Sequence, residues 1–166
     1  MGLWAWLTGS VNSKPAPESE YVPEVESDEP ERVDALFGPL LRRRGALRGE
    51  CMLEGVSFEV SFQGGEDEID SSIALGRAFW PGAAVWIARA RAMLIDELFD
   101  TAKDWAEEDD ATLTVDEFKD AVTPRAFSFD YDGAVDLHFD DGDLFAGHFL
   151  TVSGGREAPE QAVMWG

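Results

Sequence analysis

Residues 127–152 read FSFDYDGAVDLHFDDGDLFAGHFLTV. Apolar residues alternate with polar ones through Phe127 and Phe129, then Val135, Leu137 and Phe139. A period of two marks a strand with one buried face. Asp132-Gly133 and Asp141-Gly142 break the pattern twice, so the stretch predicts three antiparallel strands. With Gly133 as the left-handed residue of a three-residue loop, Phe129 faces Val135 and Phe127 faces Leu137. That register keeps every apolar residue on one side.

Upstream, VSFEVSF at 56–62 repeats the alternation most cleanly. Val56, Phe58, Val60 and Phe62 point one way and Ser57, Glu59 and Ser61 the other. LFGPLLRR and ALRGECML read as two earlier strands, with Pro39 suited to an edge or bend and Glu54-Gly55 to a tight turn. From Asp70, a candidate helix cap, the spacing becomes helical, with a break at Pro81-Gly82. Val85, Ala88, Ala92, Ile95, Phe99, Ala102 and Trp105 recur every three or four positions as an apolar stripe, with Arg89, Arg91, Asp96, Lys103 and Asp104 opposite. Thr114 and Glu117 have capping-box spacing ahead of a short helix that Pro124 ends. QAVMW forms a last strand. The expected fold is α+β. An antiparallel sheet combines N-terminal hairpin strands with a C-terminal meander, and the central helices pack on one face.

Residues 9–34 are rich in Pro, Ser and Glu and poor in large apolar side chains. Such a segment buries too little surface to offset its ordering entropy. Residues 1–34 therefore read as a flexible acidic tail with a short apolar start, GLWAWL, and residues 35–166 as a single domain. An apolar fraction of 45% suffices for a packed core. The formal net charge is −21, which repels nucleic acid and anionic lipid and attracts basic proteins. No run approaches the roughly 18 apolar residues of a membrane span. A lone cysteine, Cys51, can form no intramolecular disulfide, which fits a reducing cytoplasm.

Three places resemble a bacterial family catalogued as domain of unknown function 2262. They are Leu36-Phe37-Gly38, the Asp143–Val152 segment with its Gly147-His148 pair after Phe145, and the closing Ala162–Gly166, where Met164 replaces an expected isoleucine. The resemblance spans about residues 36–166 and implies one bacterial α+β domain. It implies no activity, and Arg42, Arg43 and Arg44 correspond to nothing in it.

Several constellations bear on chemistry. Asp136, His138 and Asp140 occupy alternate positions of one strand, so they share a face. They could hold a divalent metal with His148 from the next strand, or be an ordinary solvated face. His148 suits either a general base or a histidine that holds two elements in register. Residues 108–118 resemble the back half of a calcium-binding loop ending at Glu117. However, Ala106 and Ala111 stand where a first ligand and a turn glycine belong. Cys51 lies mid-strand as a small core residue, and the Gly64-Gly65 turn is followed by acids that repel phosphate. No cofactor is expected, and the sequence carries no signal of oligomeric state. The expectation is a non-enzymatic module that binds a basic protein, in the manner of an immunity or inhibitor protein, through Asp130, Asp132, Asp136, Asp140, Asp141 and Asp143. The alternative is a metal-dependent enzyme or binder centred on His138 and His148.

Overall fold

The computed structural model describes residues 28–108 and 112–166. The chain runs β1 (Arg32–Asp34), β2 (Gly38–Arg43), β3 (Ala46–Leu53), β4 (Val56–Phe62), α1 (Ile69–Phe79), a 3-10 turn (Trp80–Gly82), α2 (Ala83–Glu108), α3 (Val115–Ala121), β5 (Thr123–Phe129), β6 (Val135–Asp140), β7 (Phe149–Gly154) and β8 (Pro159–Trp165). The strands form one eight-stranded sheet in sequential order. Each neighbouring pair is antiparallel except β4 and β5, which run parallel. Parallel neighbours need a crossover, and the three helices supply it.

Local chemistry explains the strand ends. Arg44-Gly45 and Glu54-Gly55 both have two successive positive φ angles, the backbone of a tight two-residue hairpin turn. Phe127 pairs with Leu137 and Phe129 with Val135, the register that the alternation predicts. The Thr114–Glu117 capping box is formed, each side chain bonded to the other's backbone N–H. Glu117 is thereby committed to the cap, while Asp110 of the calcium-loop pattern falls outside the described residues.

The helix side of the sheet is an aromatic layer. Phe62 stacks on Phe129 with centroids 5.6 Å apart, and Phe79 meets Phe127 and Phe129 edge-on at 5.2 and 5.4 Å. Phe58, Phe129 and Leu137 are all buried there. α1 approaches this layer through Gly76. A Cβ at that position would lie 2.8 Å from Phe62 and 3.3 Å from both Phe129 and Phe37.

Three expectations change. The sheet begins inside the segment read as tail: Arg32–Asp34 pair with β2, and Asp34 is buried. Its carboxylate accepts the Leu36 and Phe37 N–H groups at 2.8 and 3.1 Å and the Arg77 Nε–H at 2.9 Å. Burial alone would raise its pKa, but the Leu36 N–H, Arg77 and the Phe37 N–H outweigh it and hold the carboxyl below the usual range. Residues 1–27, with GLWAWL, lie outside the described residues. Second, the first half of α2 is rotated from the expected stripe, whereas Phe99, Ala102 and Trp105 pack against the core as that stripe predicts. Ala83, Trp86, Ala90 and Leu94 are buried, while Val85, Ala88 and Ala92 are exposed. The large Trp86 wins the core position and donates its Nε1–H to Gly155 O at 3.1 Å. Third, Asp70 lies in the first turn of α1 and pairs with Arg32, and Glu68 holds the cap position.

Gly76→Ala should destabilise the protein. The gain in helix propensity, about 1 kcal/mol, is smaller than an overpacking cost of about 1–3 kcal/mol against rigid rings. Urea unfolding checks the sign, and a more stable variant would mean that the aromatic layer yields. Asp34→Ala orphans two backbone donors and should cost roughly 2–4 kcal/mol. Because the native pKa is depressed, the carboxylate's contribution is present above the unfolded value of about 3.9 and fades as pH falls toward the native one. Wild type and Asp34→Ala should therefore converge in stability at acid pH.

Candidate functional site

The face of the sheet opposite the helices carries the side chains of alternate strand positions. On β4 these are Glu59 and Ser61, on β5 Ser128, on β6 Asp136, His138 and Asp140, on β7 Phe149 and Thr151, and on β8 Val163 and Trp165. Ser61 and Thr151 are buried among their neighbours, while Phe149 and Trp165 are exposed. An open concavity of about 510 Å³ sits at the centre, lined by Arg48, Glu59, Ser61, Ser128, His138 and Thr151, and reaches Phe149 and Trp165.

A continuous polar chain crosses its floor. Gln63 Nε2 donates to Ser61 Oγ at 3.3 Å, and the Ser61 and Ser128 hydroxyls lie 2.9 Å apart. Ser128 Oγ is 3.0 Å from His138 Nε2, and His138 Nδ1 is 3.1 Å from Thr151 Oγ1. Register puts these groups together: β4 pairs Ser61 with Ser128, and β7 sets Thr151 opposite His138. His138 is half-buried. Desolvation pushes its pKa below the ordinary imidazole value, against the upward pull of Asp136 and Glu59. The ring is therefore neutral near pH 7, with both nitrogens matched to hydroxyls. A serine beside a neutral histidine has the contact of an activated nucleophile. Yet Ser128 lies mid-strand between β4 and β6, where backbone N–H groups serve the ladder instead of a developing oxyanion.

The expected metal set is not assembled. His148 lies on the helix side, its ring 5.5 Å from Trp105 of α2 and its Nδ1 bonded to Phe145 O. His138 lies on the opposite face. Asp140 accepts the Gly142 N–H at 3.1 Å and pairs with Arg125. The Gly142 N–H, then Arg125, hold its pKa below the usual range. Among the described residues no three His, Cys, Asp or Glu side chains are grouped as metal ligands. Cys51 is buried, and burial pushes its thiol pKa up, away from reactivity.

The six aspartates expected at a partner surface divide. Asp141 is buried and does not face a partner. Its carboxylate accepts the N–H groups of Asp143, Phe145 and Gly147 at 3.2, 3.1 and 3.2 Å, so it organises the β6–β7 loop. Asp130 and Asp132 accept the Tyr131 and Ala134 N–H groups at 2.7 and 3.0 Å and shape the β5–β6 turn. Asp136 and Asp140 lie on the open face, and Asp143 is exposed on the loop. Sequence reasoning missed Ser61, Ser128 and Thr151. Alternation places each on the polar side of its strand, but only the parallel β4–β5 pairing brings Ser61 beside Ser128.

A family model described as "Uncharacterized protein conserved in bacteria (DUF2262)" matches residues 37–162. The chain belongs to this family. The match covers β2 to β7 whole, including the His138 network and the three central helices. No curated protein and no solved structure matches.

The lowered pKa of His138 predicts a stability signature. Between the unfolded value of about 6.5 and the lower native one, the unfolded chain binds more protons, so stability falls as pH drops through that window. His138→Gln keeps hydrogen-bonding capacity without the titration. Its melting temperature should drop less than that of wild type between pH 7.5 and 5, and equal slopes would show that His138 titrates alike in both states.

Proposed function

We propose that this protein is a non-enzymatic protein-binding module that engages a basic partner through the open face of its sheet. One observation carries the reading. Phe149 and Trp165, directly opposite each other on β7 and β8, are 73% and 61% exposed on that face. Adjacent large aromatics left in water mark a contact surface more often than scattered exposed apolar residues do. Asp136 shares the face with Glu59 and Asp140, which are held in ion pairs with Arg48 and Arg125, and the chain's charge is −21. Aromatic rings among carboxylates suit Arg and Lys, whose cations interact with the rings and pair with the acids.

Neutralisation of a basic toxin is one biological setting in which such a surface serves. The exposed charges would mainly speed encounter, and the aromatic pair would hold the complex.

The test compares capture from bacterial lysate at low salt by wild type and by Trp165→Ala, followed by mass spectrometry. A basic protein retained by wild type, and held at least roughly tenfold more weakly by the variant, is the expected result for an aromatic hot spot. Asp136→Asn with Asp140→Asn should slow association of that protein and leave its dissociation nearly unchanged. Recovery of no basic protein whose retention depends on Trp165 would sink the proposal.

A further inference from the structure

The helices leave one part of the inner sheet face open. Between α2 and the β3–β4 hairpin runs a groove of about 760 Å³, within the range of small-ligand pockets, about 300–1,000 Å³. Leu53 and Val56 form one wall; Ile87, Ala88, Ala92 and Ile95 form the other. The rotation of α2 creates it. Trp86 and Leu94 take the core, so the neighbouring stripe of small and aliphatic residues faces a gap instead of the sheet.

The polar lining is sparse, two cations, one carboxylate and one hydroxyl. It consists of Arg91, Lys119, Glu54 and Thr123. Lys119 already pairs with Asp116 at 3.1 Å. Arg91 makes no hydrogen bond or ion pair with another described residue. A guanidinium without a partner among the described residues, beside an apolar groove, stands out in a chain with 34 acidic and 13 basic residues.

We infer that this groove binds a fatty carboxylate, its alkyl chain between α2 and the hairpin and its head group on Arg91. The aliphatic walls match a hydrocarbon chain, which needs no hydrogen bonds. A peptide would bring backbone N–H and C=O groups that this lining, with Thr123 as its one neutral polar side chain, cannot satisfy. The guanidinium fork matches a carboxylate bidentately. This site lies on the helix side, away from Phe149 and Trp165, so the inference stands apart from the partner surface.

The experiment titrates the full chain with decanoate below its micelle concentration, by calorimetry and by methyl NMR, with 1-decanol as the headless control. Saturable decanoate binding that shifts the Leu53, Ile87 and Ile95 methyl signals is expected. Arg91→Gln should weaken decanoate by roughly tenfold, the worth of a charge-assisted bond, and leave decanol affinity unchanged. Ala92→Trp, at an exposed position, should fill the groove and abolish binding of both without lowering the melting temperature. Absent saturable binding, binding that survives Ala92→Trp, or an equal loss of decanol affinity in Arg91→Gln would each overturn the assignment. So would a groove found occupied by peptide in protein isolated from cells.

Discussion

The fold depends on the seam between β4 and β5. There Val60 pairs with Phe127 and Phe62 with Phe129, in parallel, across a connection of sixty residues that contains every described helix. Each half of the sheet is a meander of local hairpins and forms from short-range contacts. The seam joins them only after the helical connection has closed, which makes it the costly, non-local step. The aromatic layer repays that closure. Phe58, Phe62, Phe127 and Phe129 come from both sides of the seam, and Phe79 and Trp80 come from the connection itself.

The seam also builds the polar face. A strand that buries Phe62 and Phe129 inward must turn Ser61 and Ser128 outward at the same register. The hydroxyl pair and its link to His138 thus follow from the same pairing that stacks the rings. A second clamp works at the far end of the sheet. Phe145, fully buried, sits between Trp105 of α2 at 5.6 Å and Phe118 of α3 at 6.4 Å. The Asp141 carboxylate holds that loop in shape although Asp143 and Ala146 adopt positive φ, which costs a side-chain-bearing residue energy.

Alternation made β4, β5 and β6 legible, because half-buried strands write their faces directly into sequence. The capping box at Thr114 was equally plain, since its partners are three residues apart. Less legible was whatever depends on partners far along the chain. The stripe on α2 held at Phe99, Ala102 and Trp105 but failed by about one helical position in the first half, because alanines at 88 and 92 count as apolar, whereas the size of Trp86 and Leu94 decides which side is buried. β1 was hidden because three residues carry too little periodicity, and the decisive group there is an aspartate that binds Arg77, forty-three positions away. The candidate site was legible only in part. Asp136, His138 and Asp140 share a face as their spacing requires, but the separation of His138 from His148 depends on how the β6–β7 loop turns inward.

The aspartates show how little composition says about where affinity arises. In strand-rich chains Asp is favoured at turns because its carboxylate accepts nearby backbone N–H groups. Asp130, Asp132, Asp140 and Asp141 all do this here. A carboxylate occupied in this way keeps its charge, so an exposed one still contributes to the field that draws a basic molecule inward. It is less free to re-aim toward a partner's cation, since doing so would break the turn. Exposed ion pairs are in any case worth little. Acidity on this scaffold therefore favours rapid encounter, and lasting contact falls to groups the fold leaves unused. On the open face of the sheet those are the Phe149 and Trp165 rings. In the gap beside α2 the unused group is the guanidinium of Arg91. The two surfaces lie on opposite sides of a single sheet and offer different chemistry, aromatic rings among ion-paired polar groups on one side, an aliphatic gap with Arg91 at its edge on the other.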